Sequence, residues 1–464
     1  MFADNFIRTL TASGNNNKII FGTVSIIIAA FLVDTSLNKI SDLFTGQMPL
    51  SWRFSVFVVI GAIYLIGQFL VLGFVKRKSQ EIGAKEKLHL KLVHKVVIII
   101  QCSVTAIFLF VGLEMLTLSY YNVVALIVAM AISYILAGFM MGLLARRFFS
   151  WFRVRKNFAV LFYGLSSASL AINAVLTLIL VSILVLYQPN EILSTHYNSS
   201  PPFFIPGSPL DALNSGYIIS SVMSFILTWV ATALLLYHYS RRFGRVKYWV
   251  IVSLPLVYFL SQFVSYSLNV FASLLSSDPI FYGTLLSVLF TVSKAAGGIL
   301  FGVAFWTMAR SIRQGSVVRD YRIVSAFGFA LLFVSNQAIV LSNAFYPPFG
   351  LATVSFMGLS CYMILVGIYS SAISVSEDSI LRQSIRTIAI KESRLLDSIG
   401  MAQMEQQIQK KVVEFTKQYQ DRIEEETGIQ SSLSEEDVKE YLQQVIREVK
   451  KQKPTANKTN NGNA

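Results

Sequence analysis

Apolar residues fall along this chain in long runs separated by short polar stretches. Ten runs stand out, at 19–33, 54–75, 96–119, 123–145, 158–187, 217–239, 248–275, 281–309, 324–345 and 351–374. The last two come from one stretch without charge between Ile323 and Glu377. Tyr346-Pro347-Pro348-Phe349-Gly350 divides it, because consecutive prolines cannot continue a helix. Most runs reach the roughly 20 residues that a helix needs to cross about 30 Å of hydrocarbon. The first is short and is expected to extend toward Asn38. The pattern predicts an all-α fold, a polytopic transmembrane bundle of ten spans over 19–374 after a short N-terminal segment 1–18.

Composition agrees with that pattern and excludes a soluble one. Hydrophobic residues make up 54% of the 464 and charged residues 14%, against about 25% charged in a typical soluble domain. The formal charge of +14 first suggests nucleic acid. Its distribution removes that reading. Residues 1–374 hold 25 Lys and Arg, and 20 of them lie in four alternate connections. These are Lys76 to Lys95, Arg146 to Lys156, Arg241 to Lys247, and Arg310 to Arg322. The other connections hold Lys39 and the boundary Arg53. Short basic loops stay in the cytoplasm, so both termini are expected inside a cell membrane, with the anionic inner leaflet as counter-charge. Among those cations only Lys294 then asks for a functional account. Lys18 and Ala29-Ala30 also fit a signal peptide, whose removal would leave nine spans in the same orientation.

A shift of 164 residues places Gly138 on Gly302, Ala145-Arg146 on Ala309-Arg310, and Gly164 on Gly328. Spans two to five and six to nine then form a parallel repeat, which fits a transporter fold or an architectural duplication. The one long outer connection, 188–216, carries five prolines and a glycosylation sequon at Asn198.

The tail from residue 375 changes character. It holds 14 Lys and Arg and 15 Asp and Glu, with apolar residues at helical spacing. Ile408, Val412, Phe415, Tyr419 and Ile423 follow steps of four and three, an a/d-like stripe. Gly428 is expected to end that helix, and a capping box at Ser434 opens a last amphipathic helix to about residue 452. Residues 453–464 read as disordered. The stripe predicts a cytoplasmic helical or coiled-coil tail that pairs with itself, a protein partner or the inner membrane surface.

Chemistry-bearing motifs are sparse. Cys102 and Cys361 lie in apolar runs, and the four histidines show no metal-ligand spacing. With no phosphate loop, GxSxG or HExxH, no catalytic residue, metal or cofactor is expected, and the chain reads as a non-enzyme. Lys294 stands near the middle of its span, where a lysine costs about 2.5–3.5 kcal/mol. Glu114 and Asp34 are its candidate counter-charges. Asn173, Gln262, Asn336 and Gln337 sit at similar depth in odd-numbered spans, either bonding neighbouring helices or lining one polar cavity with Lys294.

The segments Ile380-Leu381-Arg382-Gln383-Ser384-Ile385-Arg386 and Leu395-Leu396-Asp397-Ser398-Ile399-Gly400 carry a resemblance. Over the last two spans and the tail, about a quarter of the chain, the sequence resembles uncharacterised multi-span membrane proteins of ammonia-oxidising archaea. That family has no assigned activity to carry over. The layout is also similar to the multi-span sensor halves of some archaeal signalling proteins, here without their catalytic output domain. The expected function is a receptor or sensor that transmits through its tail to a cytoplasmic partner. The alternatives are a transporter or channel using Lys294 and the amides, and a scaffold for other membrane subunits.

Overall fold

The computed structural model describes residues 21–31, 50–79, 87–118, 122–187, 208–237, 240, 244–267, 279–312, 316–336, 351–378, 382 and 394–427, with isolated positions between 436 and 445. Among the described residues every regular element is helical. In chain order these are α1 (Phe21–Phe31), α2 (Leu50–Ser79), α3 (Lys87–Thr117), α4 (Val123–Val154), α5 (Phe158–Tyr187) and α6 (Pro209–Leu236). There follow α7 (Arg245–Ser267), α8 (Pro279–Ser311), α9 (Val317–Ser335), α10 (Leu351–Glu377) and α11 (Arg394–Thr427). Eight of them, α2 to α8 and α10, are long and apolar enough to cross a bilayer. The chain is therefore a multi-pass integral membrane protein in contact with lipid.

Each of the ten predicted runs has a helix, yet two fall outside those eight. Helix α1 is an 11-residue piece among the described residues. Helix α9 begins seven residues earlier than the apolar run and so includes Arg319, Asp320 and Arg322. Asp320 in the first turn favours that start, while Ser316 at the N-cap position makes no side-chain capping bond. At α6 the N-cap does bond: the Ser208 hydroxyl accepts from the Asp211 amide at 3.1 Å. Asp34, Asn198, Gln337, the 188–207 loop, Gly428 and residues 453–464 lie outside the described residues.

Helix α10 is the centre of the molecule, with every residue of its apolar window buried. Helices α9, α4, α2 and α3 pack against it. The sequence α8, α9, α10, α4, α5, α6 runs from neighbour to neighbour and returns from α6 to α8. Aromatic rings fill the inside. Phe225 of α6 meets Phe301 of α8 at 5.4 Å and Phe333 of α9 at 5.6 Å, and Tyr163 of α5 meets Phe305 at 5.7 Å. Helix α7 packs outside on α8 and α6. Outward-facing Val250, Leu254 and Val257 on α7, and Ile99, Leu109 and Leu113 on α3, present the apolar surface that lipid covers. Cys361 is buried as expected, whereas Cys102 faces outward.

Lipid gives helices no hydrophobic reason to associate, so close backbone approach matters. The α9–α10 seam shows this. A methyl group at Gly367 would come within 2.6 Å of the Tyr321 carbonyl oxygen and 2.8 Å of the Ser325 amide nitrogen. Backbone cannot yield as a side chain does. Gly367→Ala is expected to cost about 1–3 kcal/mol through overpacking, read as a lower melting temperature in detergent.

Of the repeat-related glycines, Gly138 lies over Ala171 and Ala174 of α5, and Gly302 over Ala326 and Ala330 of α9. Gly164 rests on Phe148 and Phe149, whereas Gly328 faces Met363 and Ile364 of α10. The first pair thus marks two similar helix crossings, and the second marks two different ones.

Candidate functional site

The C-terminal end of α9 collects the polar groups of the bundle interior. Asn336 caps it with its amide bonded to the Leu332 carbonyl. The last carbonyls of a helix have no partner within the helix and carry partial negative charge. Two neighbouring helices supply donors to them, and a third bonds the Asn336 side chain. The Lys294 ammonium of α8 donates to the Asn336 carbonyl at 3.4 Å. Tyr134 of α4 donates its hydroxyl to the Asn336 side-chain oxygen at 3.3 Å. Thr353 of α10 donates to the Ser335 carbonyl at 2.8 Å. One turn away, Ser133 accepts a bond from the Gly358 amide at 3.0 Å.

Among the described residues Lys294 therefore meets a helix end rather than a carboxylate. Its single bond among the described residues is long, and an ammonium has three donors. Glu114 stays apart: it is half-buried on α3, with its Oε2 atom buried and unbonded. The amides separate too. Asn173 is fully buried between α5 and α6, donating to the Tyr217 carbonyl at 3.1 Å and the Ser220 hydroxyl at 2.9 Å. Gln262 donates to Phe259 of its own helix at 2.8 Å. Of the described amides, Asn336 alone joins Lys294, while Asn173 follows the other reading and bonds a neighbouring helix. Asn173 instead belongs to a polar seam in which Ser166 bonds Thr228 at 2.5 Å and Ser169 bonds the Ser220 carbonyl at 3.0 Å.

Arg322 overturns the expectation that Lys294 is the one intramembrane cation to explain. It is fully buried in α9, and none of its three guanidinium nitrogens has a hydrogen-bond partner among the described residues. The guanidinium lies 5.6 Å from the Phe305 ring centre, a cation–π contact. The capping signal at Ser316 and Asp320 would have placed it inside the helix. Nothing in the sequence marked Tyr134 or Thr353.

At the opposite ends of α4 and α10, α11 docks through side-chain bonds. Trp151 donates to Gln403 at 3.0 Å, Gln406 to Ser150 at 2.7 Å, and Ser376 to Gln407 at 3.0 Å. Asn157, just before α5, donates to Ser398 at 2.8 Å. Leu395, Leu396, Ile399 and Ala402 are buried in the main core. Gly400 allows the approach, since a methyl group there would fall 2.7 Å from Val375 Cβ. Gly400 lies inside an unbroken helix that ends at Thr427, one residue before the predicted stop. Helix α10 ends at Glu377, and α11 comes back against it at Val375; residues 379–381 and 383–393 lie outside the described residues. The predicted stripe from Ile408 onward leaves the bundle, with Ile408, Phe415 and Tyr419 exposed and Val412 half-buried.

The chain matches no protein-family model, no curated protein and no solved structure. Among the described residues no group of three His, Cys, Asp or Glu is placed to hold a metal ion.

Proposed function

We propose that the protein is a receptor- or sensor-type membrane protein of ten spans with both termini in the cytoplasm, non-enzymatic, in which the Lys294–Asn336 cluster receives a ligand or ion and α11 reports it. One observation carries this reading: α4 and α10 each contact the cluster, through Tyr134 and Thr353, and each contact α11 through their last turn. Tyr134 and Trp151 are 17 residues apart on α4, roughly 25 Å along its axis. Thr353 and Ser376 lie 23 residues apart on α10, roughly 35 Å. A shift of either rigid helix at the cluster is delivered to the tail.

The ligand class follows from the donors. Lys294 has N–H groups beyond its one long bond, so a carboxylate, phosphate or carbonyl oxygen suits it. The test is a thermal-shift survey of the purified protein with small anionic and zwitterionic metabolites. A true ligand at a hundred times its Kd is expected to add about 2.7 kcal/mol of stability. Lys294→Met is expected to abolish that shift while folding normally. A shift that survives the substitution removes Lys294 from the site.

A transporter is the second reading, supported by one feature. Helix α9 ends only 13 residues, roughly 20 Å, beyond Arg322, and a lysine faces its exposed carbonyls. Transporters use such interrupted helices at their ion sites. Truncation before Arg394 separates the two: flux survives it, whereas signalling is lost.

A further inference from the structure

The far half of α11 carries an apolar face that the other described residues leave uncovered. Ile408 is 46%, Phe415 68% and Tyr419 58% exposed. The Phe415 and Tyr419 rings stack on each other, 6.2 Å apart and 24° from parallel. Nothing in the membrane domain reaches this face among the described residues. We infer that it pairs with the same face of a second copy of this chain, the two α11 helices running antiparallel.

Two independent observations select that occupant and that direction. The first is how α11 lies. Ser398, Gln403, Gln406 and Gln407 fall within ten residues, roughly 13 Å of helix. Their partners Asn157, Trp151, Ser150 and Ser376 all come from the terminal turns of α4, α5 and α10. A helix continuing the bundle axis would move away from those ends within that distance, so α11 crosses beneath them. Two copies in one bilayer are related by a two-fold axis along the membrane normal. Such an axis turns helices that lie across the base into an antiparallel pair.

The second observation is charge. The first half of the exposed segment carries Lys410, Lys411 and Lys417 with Glu414, all exposed, and so is net basic. The second half carries Asp421, Glu424 and Glu425 with Arg422, also exposed, and so is net acidic. Antiparallel pairing brings basic halves onto acidic halves, whereas a parallel pair would set like charge on like. The same acidic half disfavours the anionic inner leaflet as occupant. This inference stands apart from the sensing proposal, since a transporter would dimerise through α11 equally well.

Charge reversal in the full-length protein tests it, with oligomeric mass measured by light scattering in detergent and in nanodiscs. Wild type is expected to be a dimer. The variant Lys410→Glu with Lys411→Glu is expected to self-associate about ten-fold more weakly or worse. Adding Glu424→Lys and Glu425→Lys should restore the dimer. A parallel pair would ignore the first reversal, because like charges would remain like, and that result overturns the proposal. Wild type that stays monomeric at tens of micromolar overturns it as well. So does a monomer whose Phe415 is shielded only when anionic lipid is present, which assigns the face to the bilayer.

Discussion

Trp151→Ala is expected to release α11 from the base of the bundle. The indole is fully buried, sits edge-on to Phe148 at 5.6 Å, and donates the 3.0 Å bond to Gln403. Truncating a buried tryptophan costs about 3–5 kcal/mol through lost contacts and the cavity left behind. Much of that cost falls on the junction with α11, because Trp151 stands in the last turn of α4. A cysteine introduced at the buried position 402 reads the outcome. Its labelling rate should rise by at least about ten-fold in the variant, while the membrane domain keeps its helical content. Trp151→Phe preserves most of the packing and removes the hydrogen bond, so its effect should be near 1 kcal/mol. Equal labelling in all three proteins would mean that α11 is held elsewhere.

Arg322→Met carries the second large effect, in the opposite direction. Arginine does not give up its proton in a protein, so its charge stays in the core. Beside it lies the Phe305 ring at 5.6 Å. The guanidinium makes no hydrogen bond among the described residues. Replacing a buried charge by an apolar side chain of similar length is often stabilising by about 1–4 kcal/mol. The variant is expected to melt at a higher temperature in detergent. Topology is unaffected, because the α8–α9 connection keeps Arg310, Arg313 and Arg319. A lower melting temperature would instead reveal an acidic or anionic partner for Arg322.

These two positions also show how far sequence alone reaches. Helix identity was legible because a membrane forces long apolar runs, and each of the ten runs has its helix. Helix starts were less legible. Helix α9 starts at Val317, among charged residues that read as a loop, and that reading left Arg322 outside the helix and hid a buried charge. Lys294 was legible because an intramembrane lysine is rare. Its partner class was not. The sequence suggested carboxylates, yet the ammonium is met by a backbone carbonyl at a helix end, and backbone groups leave no mark in composition. Asn173 and Gln262 looked equivalent to Asn336 by depth. Depth does not fix rotation about the helix axis, and rotation turns Asn173 to α6 and leaves Gln262 on its own helix. The tail stripe read as one continuous feature. In the structure it is exposed from Ile408, whereas the helix before it docks on the bundle through Leu395 to Gln407, a distinction that depends on tertiary contact alone.

Coupling between the Lys294 cluster and α11 is the central claim, and amide hydrogen exchange tests it most directly. Exchange is followed over residues 398–407 in wild type and in Lys294→Met, in detergent at fixed pH. A coupled tail should exchange several-fold faster or slower in the variant, with the altered amides concentrated where α11 meets Ser150, Trp151 and Ser376. Identical exchange across that segment, in a variant whose amides near Asn336 do change, would contradict the account.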